Sequence, residues 1–151
     1  MNTGQLCNRK PITVRPSDDL IKAAQLMCEK HVGYLVVVDP EAGDESLRPV
    51  GVVTDRDIVV SVVARETDPR SLRVGDVMTQ PPVTVDVADP VERALGEMRR
   101  IGVRRVPVVG KRGELIGVLS LDNVLEVLAG ELRNLAGSMR HERVIEGSLR
   151  P

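Results

Sequence analysis

Aromatic residues are almost absent from this chain of 151 residues, which has one tyrosine and no phenylalanine or tryptophan. Proteins that bind single-stranded nucleic acid usually stack the bases on aromatic side chains, and only Tyr34 could serve that purpose here. A planar ligand would have to lie between aliphatic side chains and prolines. The formal net charge is −1, so no long-range field favours nucleic acid or an anionic membrane. We therefore expect neither as a partner.

Long apolar runs and metal-ligand clusters are also missing. No apolar run approaches the ~20 residues of a membrane-spanning helix, and the stretch MNTGQLCNRK lacks the apolar segment of a signal peptide. We therefore expect a cytoplasmic location. Cys7 and Cys28 do not have the spacing of zinc ligands, and no nucleophile–base pair can be recognised. The sequence thus predicts no metal site, no catalytic residues and a protein that is not an enzyme.

An internal repeat is the main positive feature. PITVRPSDDLIKA at 11–23 matches PVTVDVADPVERA at 82–94, a shift of 71 positions, and GVVTDRDI at 51–58 matches GVLSLDNV at 117–124, a shift of 66. A longer loop in the first copy, at 40–49, accounts for the difference, because turns tolerate insertions best. We divide the chain into repeat 1 (1–66), a connector (67–76), repeat 2 (77–137) and a polar, frayed C-terminal tail (138–151).

Both repeats have the same predicted order of elements, β-α-β-β-α. The strands are β-branched runs bounded by turn residues, and Asp18 and Asp89 are the predicted caps of the first helices, with Pro90 at the first helical position. A second helix follows at Asp55 and at Leu121. Because one copy of about 60 residues buries little surface alone, we predict an α/β (α+β) fold in which two repeats share pseudo-twofold symmetry.

The matched turns are candidate binding sites. Thr54 ends a strand and Asp57 follows one helical turn later, and Ser120 and Asn123 repeat this arrangement. Backbone N–H groups at a helix start attract phosphate, and a carboxylate there can accept hydrogen bonds from a ribose, as in dinucleotide-binding folds. The pattern T-x-x-D is also a variant of the capping box, which needs no ligand. The residues alone leave both interpretations open.

HVGYLVVVD and GVVTDRDI, followed by GVRRVPVVG and GVLSLDNV, resemble a pair of CBS domains (cystathionine-β-synthase-type domains) over residues 4–136. The chain is most similar to the small stand-alone prokaryotic members. The resemblance implies two clefts between the repeats that bind adenine nucleotides or related adenosyl ligands, and a regulatory role without catalysis. It leaves AMP, ADP, ATP, NAD and S-adenosylmethionine open as the ligand, and it requires no cofactor. The alternative is a module that binds a protein partner or nucleic acid and no small molecule.

The resemblance also implies the residues that bind the nucleotide. In each repeat the turn at the start of the second helix binds phosphate and ribose, and the backbone of the first strand contacts adenine. Apolar side chains form the walls of the cleft. Arg56 and Arg105 can reach phosphate, and Tyr34 is the counterpart of Arg105, so the two clefts are unequal. The implied residues are Thr13, Val14, Tyr34, Val36, Thr54, Arg56, Asp57, Thr84, Val85, Arg105, Pro107, Ser120 and Asn123.

The resemblance implies a homodimer, and a regulated protein that the sequence does not identify. The last helix carries Val124, Leu128, Leu132 and Leu135 on one side. We predict that this side, together with the helix that starts at Asp55, packs against a second copy across a twofold axis.

Overall fold

The structure is a computed structural model that describes residues 1–40 and 46–149. Within these residues no helix is long and apolar enough to cross a membrane. The elements in chain order are α1 (Thr3–Leu6), β1 (Thr13–Val14), α2 (Leu20–Lys30), β2 (Tyr34–Pro40), β3 (Leu47–Thr54), α3 (Asp55–Ile58), a π-helical segment (Val59–Val63), a 3-10 turn (Pro69–Ser71), α4 (Val74–Val77), β4 (Val85–Asp86), α5 (Val91–Ile101), β5 (Arg105–Val109), β6 (Leu115–Ser120) and α6 (Leu121–Leu149).

The strands form two three-stranded sheets of identical topology, one in each repeat. β1 pairs in parallel with β2, and β2 pairs antiparallel with β3; β4, β5 and β6 pair in the same way. The register of the antiparallel pair shifts at equivalent places, between Val37 and Val38 and between Val108 and Val109. The predicted α/β class and the repeated order of elements are confirmed.

Each repeat has its own apolar core between its sheet and its first long helix. α2 buries Ala23 and Met27 against Leu35 of β2, and α5 buries Ala94 and Met98 in the equivalent core. In each helix the two residues lie four positions apart and so share one face. The periodicity of the sequence therefore places α2 and α5 on their sheets.

The first core is completed by a segment from the predicted connector. Val74, at the start of α4, is fully buried in the core of repeat 1, and its backbone N–H donates to the carbonyl of Asp18 at 3.0 Å. Thr79 then pairs with Val52 of β3. Residues 74–79 therefore add to the sheet of repeat 1 and cover its edge.

The N-terminal segment completes the second core in the same way. The Thr3 hydroxyl donates to the carbonyl of Asp86 at 2.6 Å, Cys7 is buried in the core of repeat 2, and Asn8 pairs with Val118 of β6. Burial raises the pKa of the Cys7 thiol. Residues from one half of the chain thus pack into the other half, so that the two repeats form one body.

The predicted helix caps at Asp18 and Asp89 are wrong by one residue. α2 begins after Asp19 and α5 begins after Pro90. The carboxylates of Asp18 and Asp89 instead accept hydrogen bonds from the backbone N–H three residues earlier, at 2.8 and 2.9 Å. Short acidic side chains bond to nearby backbone in turns as readily as at caps, which explains the misplacement.

The frayed C-terminal tail is also a wrong prediction. α6 continues without interruption to Leu149, because residues 138–149 contain no proline and several good helix formers.

In the predicted loop at 40–49, residues 41–45 lie outside the described part of the chain, and Pro40 and 47–49 belong to β2 and β3. The helix predicted from Asp55 becomes π-helical at Val59.

Candidate functional site

Two clefts lie between the repeats, and each takes its walls from both. The larger, here called the Thr54 cleft, has a volume of about 450 Å³. Repeat 1 contributes the turn from Thr54 to Asp57. The second half of the chain contributes the residues that lead into β4 and β5, and these walls are largely apolar: Pro81, Pro82, Val83, Ile101, Val103 and Pro107.

The smaller, here called the Ser120 cleft, has a volume of about 240 Å³ and is related to the first by the internal repeat. Ser120 and Asn123 take the places of Thr54 and Asp57. The opposite wall comes from repeat 1: Asn8, Lys10, Pro11, Ile12, His31, Val32 and Val36. Small-molecule sites usually measure about 300–1,000 Å³, so the Thr54 cleft is the better match for a nucleotide.

Thr54 and Asp57 form a complete capping box at the start of α3. The Asp57 backbone N–H donates to the Thr54 hydroxyl at 3.2 Å, and the Thr54 backbone N–H donates to Oδ2 of Asp57 at 2.9 Å. In the described residues, no hydrogen bond to Oδ1 of Asp57 is present. The structural and the ligand-binding interpretations are thus compatible, because the cap uses one carboxylate oxygen and leaves the other as an acceptor inside the cleft.

Asn123 has no acceptor of that kind. Its single carbonyl oxygen Oδ1 accepts from the Ser120 backbone N–H at 3.1 Å and from the Ser120 hydroxyl at 2.8 Å. The other polar group of the Asn123 side chain is its NH₂, which only donates hydrogen bonds. The two clefts therefore differ at this position in charge and in whether the side chain can accept or only donate a hydrogen bond.

Tyr34 and Arg105 lie where the clefts meet, and both residues line both clefts. Tyr34 begins β2 opposite Thr54, and Arg105 begins β5 opposite Ser120. The Tyr34 hydroxyl is buried and has no hydrogen-bond partner among the described residues. Burial raises the pKa of Tyr34, and the nearby Arg105 guanidinium opposes this effect only in part. A buried hydroxyl without a partner is a candidate ligand contact.

The Thr54 cleft carries charges of both signs, because two aspartates line it beside three arginines. Arg56, Arg104 and Arg105 line it, and Asp122 lies 3.7 Å from Arg104 and 3.9 Å from Arg105. The side chains of Arg104 and Asp122 are largely exposed, so these contacts hold the guanidinium groups weakly. An anionic ligand can compete with Asp122 for them.

The structure brings most of the predicted site residues to the clefts. Thr54, Arg56, Asp57 and Pro107 line the first, and Val36, Ser120 and Asn123 line the second. Thr13, Val14, Thr84 and Val85 line neither. Val14 and Val85 are buried in the cores of their repeats. The cleft edge lies at the preceding residues Ile12 and Val83.

Several cleft residues are not among those predicted from the sequence. Asn8, Pro11 and Ile12 of the Ser120 cleft correspond to Thr79, Pro82 and Val83 of the Thr54 cleft at the shift of 71 positions. The same shift of 71 positions, applied to the residues before the first strands, identifies these positions as matched pairs. The part of the chain that the structure describes contains no group of three or more His, Cys, Asp and Glu residues able to hold a metal ion.

Comparison with known families identifies the module. The model of the CBS domain matches residues 4–64 and 74–130, most of the chain. This protein therefore belongs to the family of CBS-domain proteins, as its sequence motifs predict, and it carries two copies of the domain.

Relatives and solved structures agree with this assignment. The chain is 32% identical to an uncharacterised protein of Methanopyrus kandleri, MK0525, over 84% of this chain and 62% of the relative. It is 33% identical to hypoxic response protein 1 of Mycobacterium tuberculosis, over 80% of this chain and 76% of the relative. The CBS domain protein PAE2072 of Pyrobaculum aerophilum, solved in complex with AMP, is 33% identical with a TM-score of 0.71, over 82% of this chain and 89% of that one. The chain thus spans about three fifths of MK0525.

Proposed function

We propose that this protein is a regulatory sensor that binds an adenine nucleotide in the Thr54 cleft, with a weaker second site in the Ser120 cleft. The observation that carries the proposal is Oδ1 of Asp57, a carboxylate oxygen that the capping box leaves unused in a cleft lined by three arginines. Such an oxygen accepts hydrogen bonds from the two hydroxyls of a ribose, and arginine pairs with phosphate.

The shape and polarity of the Thr54 cleft support a nucleotide in particular. In this proposal the base lies between the valine and proline walls, the ribose contacts Asp57, and the phosphate contacts Arg105 with Arg56 or Arg104. The similarity to PAE2072, whose structure contains AMP, makes AMP the first ligand to test. ADP, ATP, NAD and S-adenosylmethionine would place the same adenosine group against the same walls.

A sensing role accounts for the site better than catalysis does. The described residues that line the Thr54 cleft include no histidine or cysteine, whereas nucleophilic catalysis needs an activated nucleophile beside a base. The cleft instead lies between two repeats, and each core is completed by a segment from outside its own repeat. A ligand held by both repeats therefore favours one arrangement of the two repeats over others. A regulated partner protein can bind that arrangement preferentially.

The test compares nucleotides that differ only in the base. Calorimetric titration and thermal unfolding are measured with AMP and with CMP. We expect AMP to bind and to raise the melting temperature, since a ligand at 100 times its dissociation constant stabilises the folded state by about 2.7 kcal/mol. CMP should have little effect. A melting temperature unchanged by millimolar AMP, ADP, ATP, NAD and S-adenosylmethionine would refute the proposal.

We also propose that the protein self-associates. Val59, Val60 and Val63 of the π-helical segment are exposed, as are five leucines of α6. Val124, which the sequence analysis placed on the same side, is instead buried in the core of repeat 2. Adjacent exposed apolar side chains are typical of surfaces that pack against another chain. Light scattering at tens of micromolar should give a mass above the 16.5 kDa of one chain.

The predicted cytoplasmic location stays a prediction.

A further inference from the structure

The C-terminal part of α6 extends away from the rest of the molecule. Every residue from 131 to 149 is exposed, so this segment, here called the arm, packs against none of the described elements. Helices in water gain most of their stability from packing an apolar face. An arm of 19 residues, about 28 Å long at 1.5 Å per residue, therefore needs a partner to be stable.

A continuous apolar stripe runs along α6 into the arm. Its residues are spaced alternately by three and four positions, and all are exposed: Leu125, Leu128, Leu132, Leu135 and Met139. We call this stripe the α6 seam. Alternating spacing of three and four is the signature of a helix that packs along its length against another helix. The following seam positions are Glu142, Glu146 and Leu149.

We propose that the α6 seam pairs with the same seam of a second copy in an antiparallel two-stranded coiled coil. The proposal builds on the self-association proposed above, names its surface, and does not depend on the nucleotide. It places Leu132 of one copy against Leu135 of the other, at the centre of the contact, and Leu128 against Met139. A surface that fits itself about a twofold axis gives a closed assembly.

Charge decides the direction of pairing. In a parallel coil each seam residue meets its own copy, so that Glu142 would face Glu142 and Glu146 would face Glu146, a repulsion between like charges. In the antiparallel register these glutamates face Leu125 and Leu121, at the end of α6 where the Leu121 backbone N–H bonds to the carbonyl of Arg104 at 2.9 Å. The acidic end of each arm thus lies near Arg104 of the other copy, which contacts the start of α6 there.

The residues flanking the seam fit the same register. Asp122, whose side chain is 64% exposed, comes beside Arg143 of the second copy, and Arg104 and Arg105 balance the glutamates. Ala129 comes beside Ala136 of the second copy, and these small side chains let the helices approach closely. In a parallel coil Arg143 would lie beside Ser138 instead.

The first experiment measures the mass of the full chain with one seam substitution and one matched control. Leu135→Asp places a charge in the seam, and Asn134→Asp places the same charge one residue earlier, off the seam. We expect Leu135→Asp to halve the particle mass at tens of micromolar and to reduce the helical circular dichroism signal, with Asn134→Asp unchanged. An unchanged mass for Leu135→Asp would overturn the proposal. Because both positions are exposed, neither substitution affects the folded body.

A third variant separates the proposal from self-association in general. If Val60→Asp lowers the mass and Leu135→Asp does not, self-association stands and pairing through the seam is wrong. If the wild-type protein is a monomer at this concentration, both are wrong. Neither result bears on the proposed nucleotide site, which is tested separately by calorimetric titration with nucleotides.

Cross-linking tests the antiparallel direction. Ala129→Cys protein is mixed with Ala136→Cys protein, both carrying Cys28→Ser to remove the exposed native thiol, and treated with a short bis-maleimide. The antiparallel register brings residues 129 and 136 of different copies together, whereas two copies of residue 129 lie about 13 Å apart along the axis. We expect a cross-linked product in the mixture and little in either protein alone. A mixture that cross-links no better than the separate proteins would overturn the antiparallel direction.

Discussion

Tyr34 and Arg105 occupy equivalent positions in the two repeats, each at the first residue of the central strand, and each lines both clefts. Tyr34 pairs across the sheet with Thr54, and Arg105 pairs with Ser120. The internal symmetry thus places a buried hydroxyl and a guanidinium side by side at the boundary between the clefts. A ligand in one cleft contacts residues that also form the wall of the other.

The shared position of Arg105 predicts that one substitution affects both sites. Arg105→Gln should weaken nucleotide binding in both clefts, each by the ~1.5–3 kcal/mol of a hydrogen bond to a charged group. Arg104→Gln is the matched control, because Arg104 has the same contact with Asp122 and lines only the Thr54 cleft. Calorimetric titration should show a loss in one event for Arg104→Gln and in two for Arg105→Gln. Identical effects of the two variants would contradict this assignment.

Tyr34 should titrate well above the usual tyrosine value of about 10, because burial raises its pKa. In the unfolded chain the phenol loses its proton near pH 10, whereas in the folded protein it keeps it. The contribution of Tyr34 to stability is therefore complete below pH 10 and is lost as the pH rises further. Tyr34 is the only tyrosine and there is no tryptophan, so ultraviolet absorbance reports this group alone. A midpoint near 10 in the folded protein would show that the hydroxyl is solvated.

The packing of the N-terminal segment against β6 predicts an unusual cost for a small substitution. A Cβ added at Gly117 would collide with the Asn8 carbonyl and lie 2.9 Å from the Cys7 sulfur. Gly117→Ala should therefore displace the segment and destabilise the protein by about 1–3 kcal/mol. Gly96→Ala is the control: a Cβ there meets nothing within 4 Å, and alanine favours the interior of α5 by about 1 kcal/mol. Urea unfolding of both variants measures the difference, and equal stabilities would show that the segment is loosely held.

The strands, the long helices and the paired turns could be predicted because they depend on local patterns. β-Branched runs and an apolar spacing of three and four positions place β2, β3, α2 and α5 without knowledge of the fold. The packing of Val74 in one repeat and Cys7 in the other could not be predicted in this way, because a short apolar segment fits either core. The extent of α6 was underestimated because residues 138–149 are mostly polar and interrupt the apolar spacing of three and four positions.

The residues assigned to the base edge of each cleft are adjacent to those that line it, and their backbone contact with a base stays a prediction. The resemblance puts the base beside the first strand of each repeat, and the matched sequences ITV and VTV favoured Thr13–Val14 and Thr84–Val85. Val14 and Val85 are buried in the cores of their repeats. The cleft is lined instead by Ile12 and Val83, where the chain enters the strand. Only the assembled pair of repeats distinguishes these adjacent positions.

Asp57 should matter for nucleotide binding beyond its role in the capping box, and the chain provides a matched control for that claim. Asp76 occupies the same place in α4, where its carboxylate accepts from the Arg73 backbone N–H at 2.7 Å, and it lines neither cleft. Asp57→Ala and Asp76→Ala each remove a carboxylate that accepts from the backbone N–H three residues earlier at a helix start, at a cost to stability of about 1 kcal/mol. Only Asp57→Ala also removes the acceptor that we propose for the ribose.

Calorimetric titration of these variants with the preferred nucleotide should therefore separate the two roles. We expect Asp57→Ala to lose about 1.5–3 kcal/mol of binding free energy, or tenfold or more in affinity, and Asp76→Ala to bind like the wild type. Asn123→Ala should cost less than Asp57→Ala, because Oδ1 of Asn123 is already used by Ser120. If folded Asp57→Ala protein binds as tightly as Asp76→Ala protein, then Asp57 acts only as a cap, and the ribose is held elsewhere in the cleft.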